Sequence, residues 1–159
     1  MLRVENIDLE VLAEALLSHD DFGFFYWIDP ATGAIGFWGD GANYGAANEE
    51  LDPEERGGLR IGPIPSRDAY KDMEEFTATV RDPKIRDQLL RALDGKKPFH
   101  NFNAAVHRHT ETPRQWHAFR DSAMEVRAVQ WLQEHELVKV ADAEQALAKL
   151  RGGPESAEL

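Results

Sequence analysis

Phe22-Gly23-Phe24-Phe25-Tyr26-Trp27-Ile28, then Asp29-Pro30-Ala31-Thr32-Gly33, then Ala34-Ile35-Gly36-Phe37-Trp38, reads as two strands and the turn between them. Aromatic and β-branched side chains suit a pleated, half-buried surface. Pro30 presets the turn, and Gly33 can take the left-handed conformation that closes a bulged hairpin. Along the first strand Phe22, Phe24, Tyr26 and Ile28 alternate with Phe25 and Trp27, so both faces carry large apolar groups. Helices must cover one face. The other is covered as well, or it binds something.

Outward on the N-terminal side, Asp8 can cap a helix whose Leu9, Leu12, Ala13, Leu16 and Leu17 form one stripe, leaving Glu10 and Glu14 in water. On the C-terminal side, residues 39–58 combine five glycines with Glu49, Glu50, Asp52, Glu54 and Glu55, and read as an acidic, mobile loop. Leu59-Arg60-Ile61 adds a third strand before Pro63 and Pro65 end it. Helices follow. Ser66 caps one bearing Tyr70, Met73, Phe76 and Val80, and Asp82-Pro83 opens another that Gly95 stops. Pro98 opens a third with Phe99, Phe102 and Val106 inward, Thr112-Pro113 a fourth, and Asp142 to about Leu150 forms a last one. The fold class expected is α+β: a small antiparallel hairpin or three-stranded sheet, packed by a leading helix and a C-terminal helical bundle of four to five helices. It forms a single domain over 1–151, with 152–159 as a disordered tail.

Size and composition agree with one folded core. A chain of 159 residues buries roughly 70% of its unfolded surface without staples. There is no cysteine, which removes disulfides, thiolate nucleophiles and cysteine-based zinc sites together. The N-terminus lacks a basic-then-apolar leader, and no apolar run approaches the ~20 residues of a membrane span. The location expected is the cytoplasm. The net charge of −11 is unevenly placed: residues 1–65 hold 13 acidic and 3 basic side chains, residues 66–159 hold 16 and 15. Nucleic acid and anionic lipid are disfavoured partners, because both need a basic surface. The basic stretch Lys84, Arg86, Arg91, Lys96 and Lys97 carries no interleaved aromatics on which bases would stack.

The helical half carries a resemblance. Ile61-Gly62-Pro63-Ile64, Ser66-Arg67, Tyr70, Met73-Glu74-Glu75-Phe76, Asp82, Leu89 and Ala92-Leu93-Asp94-Gly95 run in an order that resembles the UPF0158 family of bacterial proteins. Phe99, Phe102, Trp116, Phe119-Arg120-Asp121 and Trp131-Leu132 continue it, over roughly residues 6–135. The family is one of uncharacterised proteins, so the resemblance implies relatives and no reaction, cofactor or catalytic residue. His107, His109 and His117 stand outside its pattern.

Three constellations are candidates for function. Arg67 and Arg120 offer guanidinium forks to a carboxylate or phosphate, with Tyr70, Glu74 and Trp116 on the same helices; ordinary helix-face ion pairs are the alternative. Tyr26, Trp27 and Trp38 lead an aromatic set able to line a pocket for an apolar or planar ligand, or simply to pack a sheet on helices. His107, His109 and His117 would bind a metal only if their imidazoles converged; their spacing matches no metal motif and reads as solvated histidines near a helix end. No cofactor is expected. The first functional reading is a non-enzymatic binding or regulatory protein whose acidic N-terminal surface meets a basic protein partner. A small-molecule binding or sequestration protein, holding an apolar or anionic ligand, is the second, and a histidine-based metal-dependent hydrolase the third.

Overall fold

A computed structural model describes residues 1–18, 25–39, 42–44 and 57–158. Phe22, Phe24 and the acidic run at 45–56 lie outside the described residues; Trp38, Tyr44 and residues 152–158 are described in backbone only. The fold is α+β. The chain gathers into two compact units, Met1–Pro63 with Met124–Leu159, and Ile64–Ala123.

The first unit begins with a 3-10 turn (Val4–Asn6) and helix α1 (Leu9–Leu17). Asp8 caps α1 as its sequence predicts, its Oδ1 accepting from the Val11 N–H at 3.2 Å. Leu12, Ala13, Ala15 and Leu16 are buried, while Glu10 and Glu14 face water. The sheet has four strands: β1 (Phe25–Ile28), β2 (Ile35–Gly39), β3 (Ala42–Tyr44) and β4 (Leu59–Ile61), in the order β3-β2-β1-β4, with every pairing antiparallel. The hairpin turn is the expected one. Gly33 sits at φ 81, its N–H donating to Asp29 O at 2.7 Å, and Asp29 Oδ1 accepts from the Ala31 N–H at 2.8 Å. Leu59-Arg60-Ile61 is a strand as expected, placed beside β1. The loop reading of 39–58 is corrected at 42–44. That short segment extends the sheet because β2 runs long enough to place Phe37 opposite Tyr44 and Trp38 opposite Asn43, and ladder pairing overrides a glycine-rich composition.

Both faces of β1 are covered. Phe25 and Trp27 are buried on one and Ile28 on the other, and Arg60 lies over the Phe25 ring at 4.4 Å. The unit closes with residues far along the chain. Helix α5 (Thr112–Glu134) contributes buried Met124, Ala128, Val129 and Leu132. Its end is tied by the Leu137 N–H to Leu132 O and the Glu136 N–H to Gln133 O, both 3.0 Å, with Glu136 at φ 56: a Schellman closure. Leu2 pairs with Val138 in a parallel bridge, and the Val4 N–H donates to Asp142 Oδ2 at 2.8 Å. Helix α6 spans Val140–Glu158. Its helical backbone therefore runs past Gly152-Gly153-Pro154, beyond the end near Leu150 that the sequence suggests, although these residues weaken a helix and Pro154 has no N–H to donate.

The second unit is helical: α2 (Ser66–Thr79), α3 (Pro83–Asp94), α4 (Pro98–Val106) and the opening turns of α5. Its core joins Met73, Phe76, Leu89, Leu93, Phe102, Val106 and Trp116. Phe76, Phe102 and Trp116 form a ring cluster with centroids 5.1–6.4 Å apart, and Phe119 packs on it. Three local expectations change. Pro65, not Ser66, is the N-cap of α2, and no side chain caps it. Gly95 ends α3 in extended geometry, and the left-handed residue of that connection is Lys97, at φ 56. Phe99 is 42% exposed, because α4 turns Phe102, Ala105 and Val106 inward.

Candidate functional site

Helix α2 has Tyr70, Glu74, Thr77 and Ala78 at i, i+4, i+7 and i+8, which share one face. Helix α3 brings Arg86, Leu90, Arg91, Leu93 and Asp94 to face it. Between them lies an open recess of about 560 Å³. The two helices close each other's ends across this recess. The Tyr70 hydroxyl donates to Leu93 O in the last turn of α3 at 2.9 Å, and Arg86 Nη1 donates to Val80 O, just past α2, at 3.1 Å. Both carbonyls belong to helix ends that lack intrahelical donors, so these bonds fix the groove's walls. Thr77 is buried and donates within α2, to Met73 O at 2.8 Å. Arg91 pairs with Asp87 at 2.9 Å on the rim, and Leu90, 51% exposed, gives the groove an apolar step. Two guanidiniums, two carboxylates and one apolar surface suit an amphipathic ligand carrying charge.

The candidate residues divide. Tyr70 and Glu74 line this groove together. Trp116, 8% exposed, belongs to the ring cluster of the core and is corrected from ligand contact to packing. Arg67, with its side chain 87% exposed, reaches the adjacent Asp68 at 4.0 Å, and Arg120 reaches the adjacent Asp121 at 3.6 Å, so each guanidinium is paired with its chain neighbour. Arg120 Nε is buried without a hydrogen-bond partner. In the sheet, Trp27 is 3% exposed and buried in the first unit. Tyr26 packs edge-on against Phe37, with centroids 5.0 Å apart. Burial pushes the Tyr26 hydroxyl above its ordinary pKa of 10.0, and the Glu14 carboxylate adds to the shift. The side chain of Trp38 lies outside the described residues.

The three histidines do not converge on one point. His107 and His117 have ring centroids 6.0 Å apart, while His109 Nε2 meets Gln88 Oε1 at 2.7 Å. Among the described residues no three metal-ligating side chains gather. No described helix is long and apolar enough to cross a membrane. Arg86 and Arg91 are the groove residues that the sequence hid, since both stand in a stretch that reads only as a basic surface. The signal for Arg86 was its i, i+4 spacing from Leu90, which puts charge beside a leucine on one helix face.

Comparison with known proteins bears on the whole chain. Residues 4–151 match the model of "Uncharacterised protein family (UPF0158)", a span that runs beyond the motifs at 6–135. The UPF0158 protein PA5073 of Pseudomonas aeruginosa is 24% identical over 140 residues, covering 88% of this chain and 90% of the relative. No solved structure matches. With nearly the full length matched, spanning both compact units, the chain belongs to the UPF0158 family.

Proposed function

We propose that this chain is a non-enzymatic binding protein that meets a basic protein partner through its acidic unit. The supporting observation is how charge divides between the two units. Residues 1–63 and 124–159 hold 20 acidic and 7 basic side chains, whereas residues 64–123 hold 9 and 11. The net −11 is thus a net −13 on one unit, offset by a slight positive charge on the other. A field of one sign over one unit steers encounter with a cationic surface and raises the association rate at low salt. A cytoplasmic location goes with this reading, and a chain without cysteine fits it.

The test begins with retention from a cytoplasmic extract at low and high salt, followed by kinetics on the purified partner. The association rate is expected to fall steeply between 20 and 300 mM salt. It should fall again when the exposed carboxylates of α1 are removed by Glu10→Gln and Glu14→Gln. Salt-independent retention, or no basic protein held at low salt, rules the reading out.

The α2–α3 groove favours a second reading, a small anionic or amphipathic ligand held by Arg86 and Arg91 beside Leu90. A thermal-shift screen of carboxylate and phosphate metabolites should then give stabilisation that Arg91→Ala removes. Stabilisation untouched by that substitution would put the ligand elsewhere.

A further inference from the structure

We propose that His107 and His117 form a two-imidazole site for a divalent transition-metal ion of the nickel, copper or zinc type. Their ring centroids lie 6.0 Å apart with planes inclined at 56°. An imidazole nitrogen binds such an ion at about 2.0–2.1 Å, which puts two rings on one ion with centroids about 5–6 Å apart. The separation of the two rings therefore falls within the range that one shared ion imposes. Both residues are exposed, so an ion reaches them from water without opening the fold.

A second observation, independent of the spacing, concerns the tautomer of His107. Its Nδ1 lies 2.8 Å from Asn103 O. A carbonyl oxygen only accepts, so Nδ1 carries the proton and the Nε2 lone pair is left for a metal. Imidazole ligands in metal sites are held this way, their other ring N–H given to a backbone carbonyl that fixes the ring and raises its basicity. The His107 backbone N–H also donates to Asn103 O, at 3.1 Å, so the residue is anchored twice at the end of α4. His117 stands on the second turn of α5, a regular helix that fixes its Cβ direction. Of the cations nearby in sequence, Arg114 is neutralised by Glu111.

His109 is not a member of the site, because its Nε2 is engaged by Gln88. With two protein ligands the remaining positions belong to water. The bound ion would link the end of α4 to the start of α5 and stabilise the helical unit in proportion to its occupancy. It is a site of ligand choice: imidazole favours nickel, copper and zinc over calcium or magnesium.

The experiment uses the full chain with every affinity tag removed, in a non-coordinating buffer at pH 7.5, titrated with Ni²⁺, Cu²⁺ or Zn²⁺ alone. Binding is read by calorimetry, by the Cu²⁺ electron paramagnetic resonance spectrum, and by broadening of histidine ring signals in NMR. One ion per chain is expected, with two nitrogen couplings and broadening confined to His107 and His117. Either His107→Ala or His117→Ala should weaken binding at least tenfold and remove one nitrogen coupling, whereas His135→Ala should leave both unchanged. Because both positions are exposed, the helical circular dichroism of each variant should match the parent. Unchanged binding in the double variant, a single nitrogen coupling in the parent, or no saturable binding of any of the three ions overturns the proposal.

Discussion

Glu136 occupies a backbone conformation that its side chain resists. At φ 56 it closes the Schellman end of α5, with Leu132 and Leu137 supplying the two apolar positions that accompany such a closure. A side chain in the left-handed region costs about 1–2 kcal/mol, and glycine gives back part of that gain as unfolded-chain entropy. Glu136→Gly should therefore stabilise the protein by about 0.5–1 kcal/mol in denaturant unfolding, and Lys97→Gly by a similar amount. Gly33→Ala should do the reverse. At φ 81 a new Cβ is strained, and it would sit 3.3 Å from Ile7 Cγ1, so a loss of about 1–2 kcal/mol is expected. Gly33 was legible because Asp29-Pro30 set the turn around it. Glu136 and Lys97 were not, since no glycine marks either place and the neighbouring Gly95 drew the eye. Tyr26 gives a pH prediction. Its folded pKa is raised, so the unfolded chain loses the phenol proton first. The stabilisation is complete below pH 10 and declines as pH rises through the folded value. Phenolate absorbance at alkaline pH should include a late step belonging to Tyr26, and Tyr26→Phe should remove that step.

Capping separates what a helix needs from what its sequence advertises. Asp82 Oδ1 accepts from the Lys84 N–H at 2.9 Å with Pro83 in the first turn, as the pair Asp-Pro announces. Ser66 announces the same and does nothing, because α2 starts one residue earlier, from the carbonyl of Pro65, to which the Asp68 and Ala69 N–H groups donate. Asp82→Ala should cost about 1 kcal/mol and Ser66→Ala within about 0.5 kcal/mol of nothing, measured side by side by urea unfolding. Element existence was readable for every helix, since periodicity and proline both mark it. What the elements do to each other was not. Trp116 reads as a binding candidate beside Arg120 only until α2 and α4 bring Phe76 and Phe102 against it. The groove likewise depends on which face of α3 meets α2. That is settled by the Tyr70 and Arg86 bonds, and no pattern within either helix contains it.

At the scale of the whole molecule, charge and chain order are linked. The unit with a net −13 repels itself, and screening shortens that repulsion from a Debye length of about 30 Å at 0.01 M salt to about 8 Å at 0.15 M. Its melting temperature in calorimetry should rise by roughly 2–4 °C over that range, equivalent to about 1 kcal/mol; a fall would mean that local ion pairs such as Arg3–Asp142 outweigh the repulsion. The acidic unit is also interrupted. Leu2 bridges to Val138 and Val4 to Asp142, so its first part is complete only when residues beyond the helical unit have arrived. During synthesis the ribosome delivers residues 1–63, then a helical unit that is contiguous in sequence, and only afterwards the segment that finishes the first unit. For that interval Leu2 and Val4 wait without Val138 and Asp142, the residues that tie them down, and an incompletely packed segment of this kind is prone to join neighbouring chains. Thirteen carboxylates against three cations lie on those 63 residues, and each nascent chain so charged holds the next one off until its closing segment emerges.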